Sequence, residues 1–187
     1  NWKGAGNSLR AHIVSDVHGA TEAVSRAAQG SDVFICLGDL ILFLDYDDPE
    51  NGIYAELFGT DYAKTYIELR TANRFDDARE FSAAAWRGIG VTTQEQRWEI
   101  LEAKVHEQYE RMFAAMPAPA LMTYGNVDVP ALWSQYLKPE HRVIDGEVVE
   151  VVEALPELAL KRAEVYRAEP DERRDQQQRH VQVGLAV

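Results

Sequence analysis

Apolar residues fall in short unbroken runs near the start of this chain and again two-thirds of the way along, and between them they recur at helical spacing. Leu9-Arg10-Ala11-His12-Ile13-Val14-Ser15 reads as a strand, and Thr21 is placed to cap a short helix over residues 22–28 that ends near Gly30. The run Val33-Phe34-Ile35-Cys36-Leu37 follows at once as a second strand. Strand, short helix, strand is the rhythm of a parallel sheet with covered faces, because a parallel return needs a crossover.

From about residue 45 to 116 the pattern predicts a helical insertion, with helices over 62–70, 76–86 and 93–116. Thr93 with Gln96 three residues on is a capping-box pattern, and Pro117 and Pro119 end the long helix. Trp98, Leu101, Val105, Tyr109, Met112 and Phe113 recur every three or four residues, the spacing of a stripe packed on a sheet. Tyr46, Asp47, Asp48 and Tyr54, nearer the second strand, are candidates for a rim or lid. Residues 120–124 form a third strand and 130–137 a short helix. Arg142-Val143-Ile144-Asp145-Gly146-Glu147-Val148-Val149 reads as a hairpin, since Asp-Gly suits a type I′ turn.

These periodicities divide the chain into a flexible leader (1–8), an α/β domain (9–150) and a helical, charged tail (151–187). Pro156 can open a helix through residue 168, and a charged and glutamine-rich run follows Pro170.

Length and composition (187 residues, 46% hydrophobic) suit a single domain with a sizeable core. No apolar stretch is long enough to span a bilayer and the first residues lack a secretory layout, so a soluble cytoplasmic protein is expected. A formal net charge of −12, from 31 acidic and 19 basic residues, disfavours a nucleic-acid backbone as partner. Cys36, the single cysteine, sits inside an apolar run and is expected to be a small core residue.

Each of the three strand-like runs breaks off at residues with metal-ligand chemistry: Asp16-Val17-His18, Gly38-Asp39, and Gly125-Asn126-Val127-Asp128. In open α/β sheets ligands gather outside the carboxyl ends of the strands. Side chains at i and i+2 of an extended segment share a side, which would let Asp16 and His18 close on one ion. Asp39 follows a glycine, whose lack of a side chain permits close approach, and its two oxygens could bridge two cations. Asn126 adds a neutral oxygen donor. Mixed carboxylate, imidazole and amide donors suit Mn²⁺, Fe²⁺ or Zn²⁺ better than Ca²⁺. Two such cations about 3.5–4 Å apart activate a water for in-line displacement at phosphorus.

Ser15-Asp16-Val17-His18-Gly19, Leu37-Gly38-Asp39-Leu40 and Tyr124-Gly125-Asn126-Val127-Asp128 resemble, in order, the first three signature blocks of the calcineurin-like metallophosphoesterase superfamily, over about residues 9–150. The resemblance implies an α/β/β/α sandwich, incomplete here on its C-terminal side and carrying the helical insertion. It implies two divalent transition metal ions, with Asp16 and His18 on the first, Asp39 bridging and Asn126 on the second. A bridging hydroxide would be the nucleophile and a phosphate ester the substrate.

Two features depart from that pattern. Many members carry histidine after the Gly-Asn pair, where this chain has Val127, which cannot transfer a proton; Asp128 keeps the acidic position and is expected to shape the loop by hydrogen bonding. The family's later histidine ligands also have no counterpart: His141, expected on the surface before a strand, and His180, within Arg179-His180-Val181-Gln182, are the only histidines after Asn126. The change of texture near Glu150 reads as a chain diverted from the sandwich's course. The expected function is therefore a metal-dependent phosphoesterase with impaired metal shells. The alternative is a non-catalytic scaffold of the same fold, with a second copy of the chain as candidate partner.

Overall fold

A computed structural model of the protein describes residues 10–149. The predicted leader and the tail with its Pro156 helix and His180 lie outside the described residues. Apolar runs become four short strands, β1 (Ala11–Val14), β2 (Val33–Cys36), β3 (Ala120–Met122) and β4 (His141–Val143). All pair in parallel in the order β1-β2-β3-β4. Strands laid down in one direction and joined by right-handed crossovers receive all their connecting helices on the same face.

That is the arrangement found. Six helices are described: α1 (Thr21–Ala27) between β1 and β2; α2 (Ile53–Phe58), α3 (Thr60–Thr71), α4 (Phe75–Gly88) and α5 (Gln94–Ala115) between β2 and β3; and α6 (Pro130–Trp133) before β4. The core joins Phe34, Cys36, Ala120 and Met122 of the sheet to Val24 of α1, Leu101, Val105, Tyr109, Met112 and Phe113 of α5, and Trp133 of α6. Because strand side chains alternate, Val33, Ile35 and Leu121 point the other way and form a smaller cluster with Ile144 and Val149. Each strand's last residue is in register with the next, Val14 with Cys36, Cys36 with Met122 and Met122 with Val143. Four loops therefore leave the sheet from one line.

The predicted helical insertion stands, and α5 begins as its capping box requires. Thr93 Oγ1 accepts from the Gln96 N–H at 3.2 Å and Gln96 Oε1 accepts from the Thr93 N–H at 3.2 Å. Its stripe is buried from Leu101 to Phe113, with Trp98 only half-buried.

Four local expectations are corrected. Thr21 is the first residue of α1 and not its cap; Ala20 takes that place without a side-chain bond, because the backbone turn through Val17–Ala20 already delivers the chain into the helix. The hairpin does not form among the described residues, since β4 pairs parallel to β3 and only Gly146, not Asp145, has the positive φ that a type I′ turn needs at both centres. Tyr54 lines no rim: it packs edge-on to Tyr62 and Tyr66 and beside Phe43 and Phe58 in an aromatic cluster of the insertion. His141 is buried in β4 rather than on the surface. Its Nε2 donates to the Pro117 carbonyl at 2.9 Å and its Nδ1 accepts from the Lys138 N–H at 3.2 Å, so backbone groups use both nitrogens.

Candidate metal centre

Adjacent strands lie about 4.8 Å apart, so loops leaving β1, β2 and β3 from one line can meet over β2. Asp39, in the central loop, occupies that meeting point. One ligand atom each from Asp16, His18 and Asp39 lies within 4.8 Å of the others. His18 Nε2 is 3.9 Å from Asp16 Oδ1.

The route to this convergence differs from the one expected. Asp16 and His18 do not continue β1 in extended form; they take φ values of 53° and 36°, and Asp39 takes 57°. A left-handed turn, not strand alternation, brings the side chains together. Asp and His are among the residues that tolerate this region best. Backbone bonds hold the turn against β2's loop, with the His18 N–H donating to the Asp39 carbonyl at 2.8 Å and the Gly19 N–H to the Leu40 carbonyl at 2.9 Å.

The glycines also do something other than expected. A Cβ on Gly38 would lie 2.0 Å from the Gly125 nitrogen, and one on Gly125 would lie 2.2 Å from both the nitrogen and Oδ1 of Asp39. Gly38 clears the way for the Gly125 backbone, and Gly125 for the backbone and carboxylate of Asp39.

The donors are prepared individually. His18 Nδ1 donates to the Ile41 carbonyl at 2.9 Å, which leaves the Nε2 lone pair facing the carboxylates. Ser15 Oγ donates to Asp16 Oδ2 at 2.6 Å. Asp39, 8% exposed, accepts from the Val127 N–H at 3.0 Å on Oδ1. A terminal amide atom of Asn126 lies 3.2 Å from both Asp39 oxygens: as nitrogen it donates to them, and as oxygen it adds a third acceptor to the same spot. Two carboxylates, an imidazole lone pair and an amide thus converge, with His18 Nε2 3.9 Å from Asp16 Oδ1. Such a donor set fits a divalent cation with mixed nitrogen and oxygen preference.

Asp128 takes the loop-shaping role anticipated for it. Its Oδ2 accepts from the Asp39 and Gly125 N–H groups, both at 2.8 Å, and its Oδ1 from the Leu40 N–H at 3.0 Å and the Tyr109 hydroxyl at 3.4 Å. Burial pushes its carboxyl up from the usual range, while the three backbone donors pull it down and the Asp39 charge adds to the rise. Val127 packs against the core, so no proton donor occupies that position. Cys36 is fully buried, and its thiol is pushed up to about 11, chiefly by that burial.

Three contributors escaped the sequence reading. The Ile41 carbonyl and the Ser15 hydroxyl carry no pattern. Gln108 does: it is a polar residue at a buried position of the α5 stripe, 5% exposed, and its amide accepts from the Leu42 N–H at 2.7 Å and donates to the Leu42 carbonyl at 3.0 Å. No helix of the described residues is long and apolar enough to cross a membrane. No protein-family model, curated protein or solved structure matches the chain.

Proposed function

We propose that this chain is a metal-dependent phosphoesterase of the calcineurin-like type, hydrolysing a phosphate monoester or diester. The observation that carries the reading is the convergence of Asp16, His18 and Asp39, with Asn126 against Asp39, at the carboxyl ends of three parallel strands. Those are the positions that the resemblance to the superfamily assigns to metal. Asp16 and His18 would hold one divalent transition metal ion, Asp39 would be shared, and Asn126 would hold the second. Bound there, the ions supply Lewis acidity for displacement at phosphorus.

The chain's own groups do the rest. Ile41 fixes the His18 ring with Nε2 free, Ser15 orients the Asp16 carboxylate, and Val127's N–H aligns Asp39. Asp128 keeps the two inner loops in register. His141 is committed to backbone partners, so it offers no further ligand to complete the shells.

The test is turnover of p-nitrophenyl phosphate and bis-p-nitrophenyl phosphate with Mn²⁺, alongside elemental analysis of the purified protein. Metal uptake with hydrolysis is expected, and Asp39→Asn is expected to weaken metal binding about 10- to 100-fold. Protein that takes up no metal and turns over neither substrate would refute the enzyme. A scaffold of the same fold is the alternative, favoured by Ile13 on edge strand β1 at 62% exposure and Leu37 at 41%. Light scattering showing a stable monomer would count against it.

A further inference from the structure

Successive residues of a helix point about 100° apart, so neighbours usually serve different surroundings. On α5, Gln108 and Tyr109 serve two sides of one site. Gln108 holds both backbone groups of Leu42, at 2.7 and 3.0 Å, one residue after the Ile41 carbonyl that accepts from His18 Nδ1 at 2.9 Å. The Tyr109 hydroxyl accepts from the Val129 N–H at 2.6 Å and donates to Asp128 Oδ1 at 3.4 Å. Asp128 in turn accepts from the Asp39 and Gly125 N–H groups. Both side chains are buried, Gln108 at 5% and Tyr109 at 0% exposure. Water therefore offers them little alternative pairing, and their bonds constrain the loops they reach.

We propose that Gln108 and Tyr109 are positioning residues for the metal centre: Gln108 sets the orientation of the His18 imidazole through Leu42 and Ile41, and Tyr109 sets the spacing of the Asp39 and Asn126 loops through Asp128. The proposal rests on the metal-centre reading above. It gives the insertion a task beyond covering the sheet, since one turn of α5 grips both the β1–β2 side and the β3 side of the site.

The test uses the full chain and the variants Gln108→Met and Tyr109→Phe, which keep volume and lose the bonds, with Val105→Ala as a core control on the same helix. Calorimetric titration with Mn²⁺ alone is expected to show about 10-fold or greater loss of affinity in both variants and none in the control, although all three lower the unfolding midpoint. In the metal-free protein long-range ¹⁵N–¹H NMR is expected to find the neutral His18 ring protonated at Nδ1, the nitrogen that donates to the Ile41 carbonyl. In Gln108→Met that form should give way to the Nε2–H tautomer. Wild-type affinity in both variants with an unmoved tautomer, or an equal loss in the control, overturns the proposal and leaves the metal centre standing. If the wild-type chain takes up no Mn²⁺, the enzyme reading fails instead, and the tautomer alone decides: an unchanged Nδ1–H signal in Gln108→Met overturns the positioning role.

Discussion

Asp16, His18 and Asp39 each hold a backbone conformation that costs a non-glycine residue roughly 1–3 kcal/mol. Three of the four described non-glycine residues with positive φ thus lie where these side chains converge; the fourth, Asn73, lies between α3 and α4. Asp16 has an exposed side chain bonded only locally, to Ser15 and near His18, so Asp16→Gly should remove the strain with little loss of packing. Without metal, its unfolding free energy from urea denaturation is expected to be unchanged or higher, by up to about 1 kcal/mol, while Mn²⁺ affinity falls. Gly125→Ala should do the opposite. Its methyl group would collide with Asp39's nitrogen and carboxylate, so a loss on the order of 3 kcal/mol is expected in the same denaturation experiment. The Gly-Asp and Gly-Asn pairs were legible as residue types in the sequence. The collision they avoid was not, because it lies between loops 87 positions apart in Gly38 and Gly125.

Elements were legible where the signal is local. α5 was readable in both its start and its buried face, because a capping box and a repeat of three or four residues are properties of one helix. Thr93→Ala removes the side-chain acceptor for Gln96 and is expected to cost about 1 kcal/mol, read as a lower urea midpoint with an unchanged m-value. The Asp145-Gly146 turn was misread as a hairpin because a turn signal does not say where the chain goes next. The segment pairs with β3 in parallel, and the Thr123 hydroxyl donates to the Asp145 carboxylate at 3.0 Å. Tyr54 was misplaced for a related reason. Its position near Asp39 in sequence suggested a rim, whereas Phe43, Phe58, Tyr62 and Tyr66 drew it into an aromatic cluster.

Two solution conditions act on the stability of the whole molecule, pH and metal. Burial lowers the affinity of His141 for a proton, with the Pro117 carbonyl opposing that shift. Its folded-state pKa lies below the unfolded value of about 6.5, so its contribution is present above that pH and lost as pH falls through the folded value. The urea midpoint is expected to drop between about pH 7 and 5, and His141→Gln should flatten that slope. Metal acts through mass action: a cation that binds only the folded chain should raise stability by about 2.7 kcal/mol at 100 times its dissociation constant. Addition of Mn²⁺ is therefore expected to raise the thermal midpoint of the wild-type chain. The same addition should raise that of Asp39→Asn by no more than about half as much.

The helical periodicity, the capping box of α5 and the polar residue types after each apolar run were legible in the sequence alone, since each depends on neighbours within a turn or a strand. That sufficed for a parallel α/β domain with a helical insertion and for naming Asp16, His18, Asp39 and Asn126 as candidate donors. Only the tertiary structure decided how those donors meet. The register that ends β1, β2 and β3 on one line, the left-handed turns, the glycine contact, and the grip of Gln108 and Tyr109 all join segments far apart in the chain. Long-range contacts of that kind leave no spacing for a sequence to display.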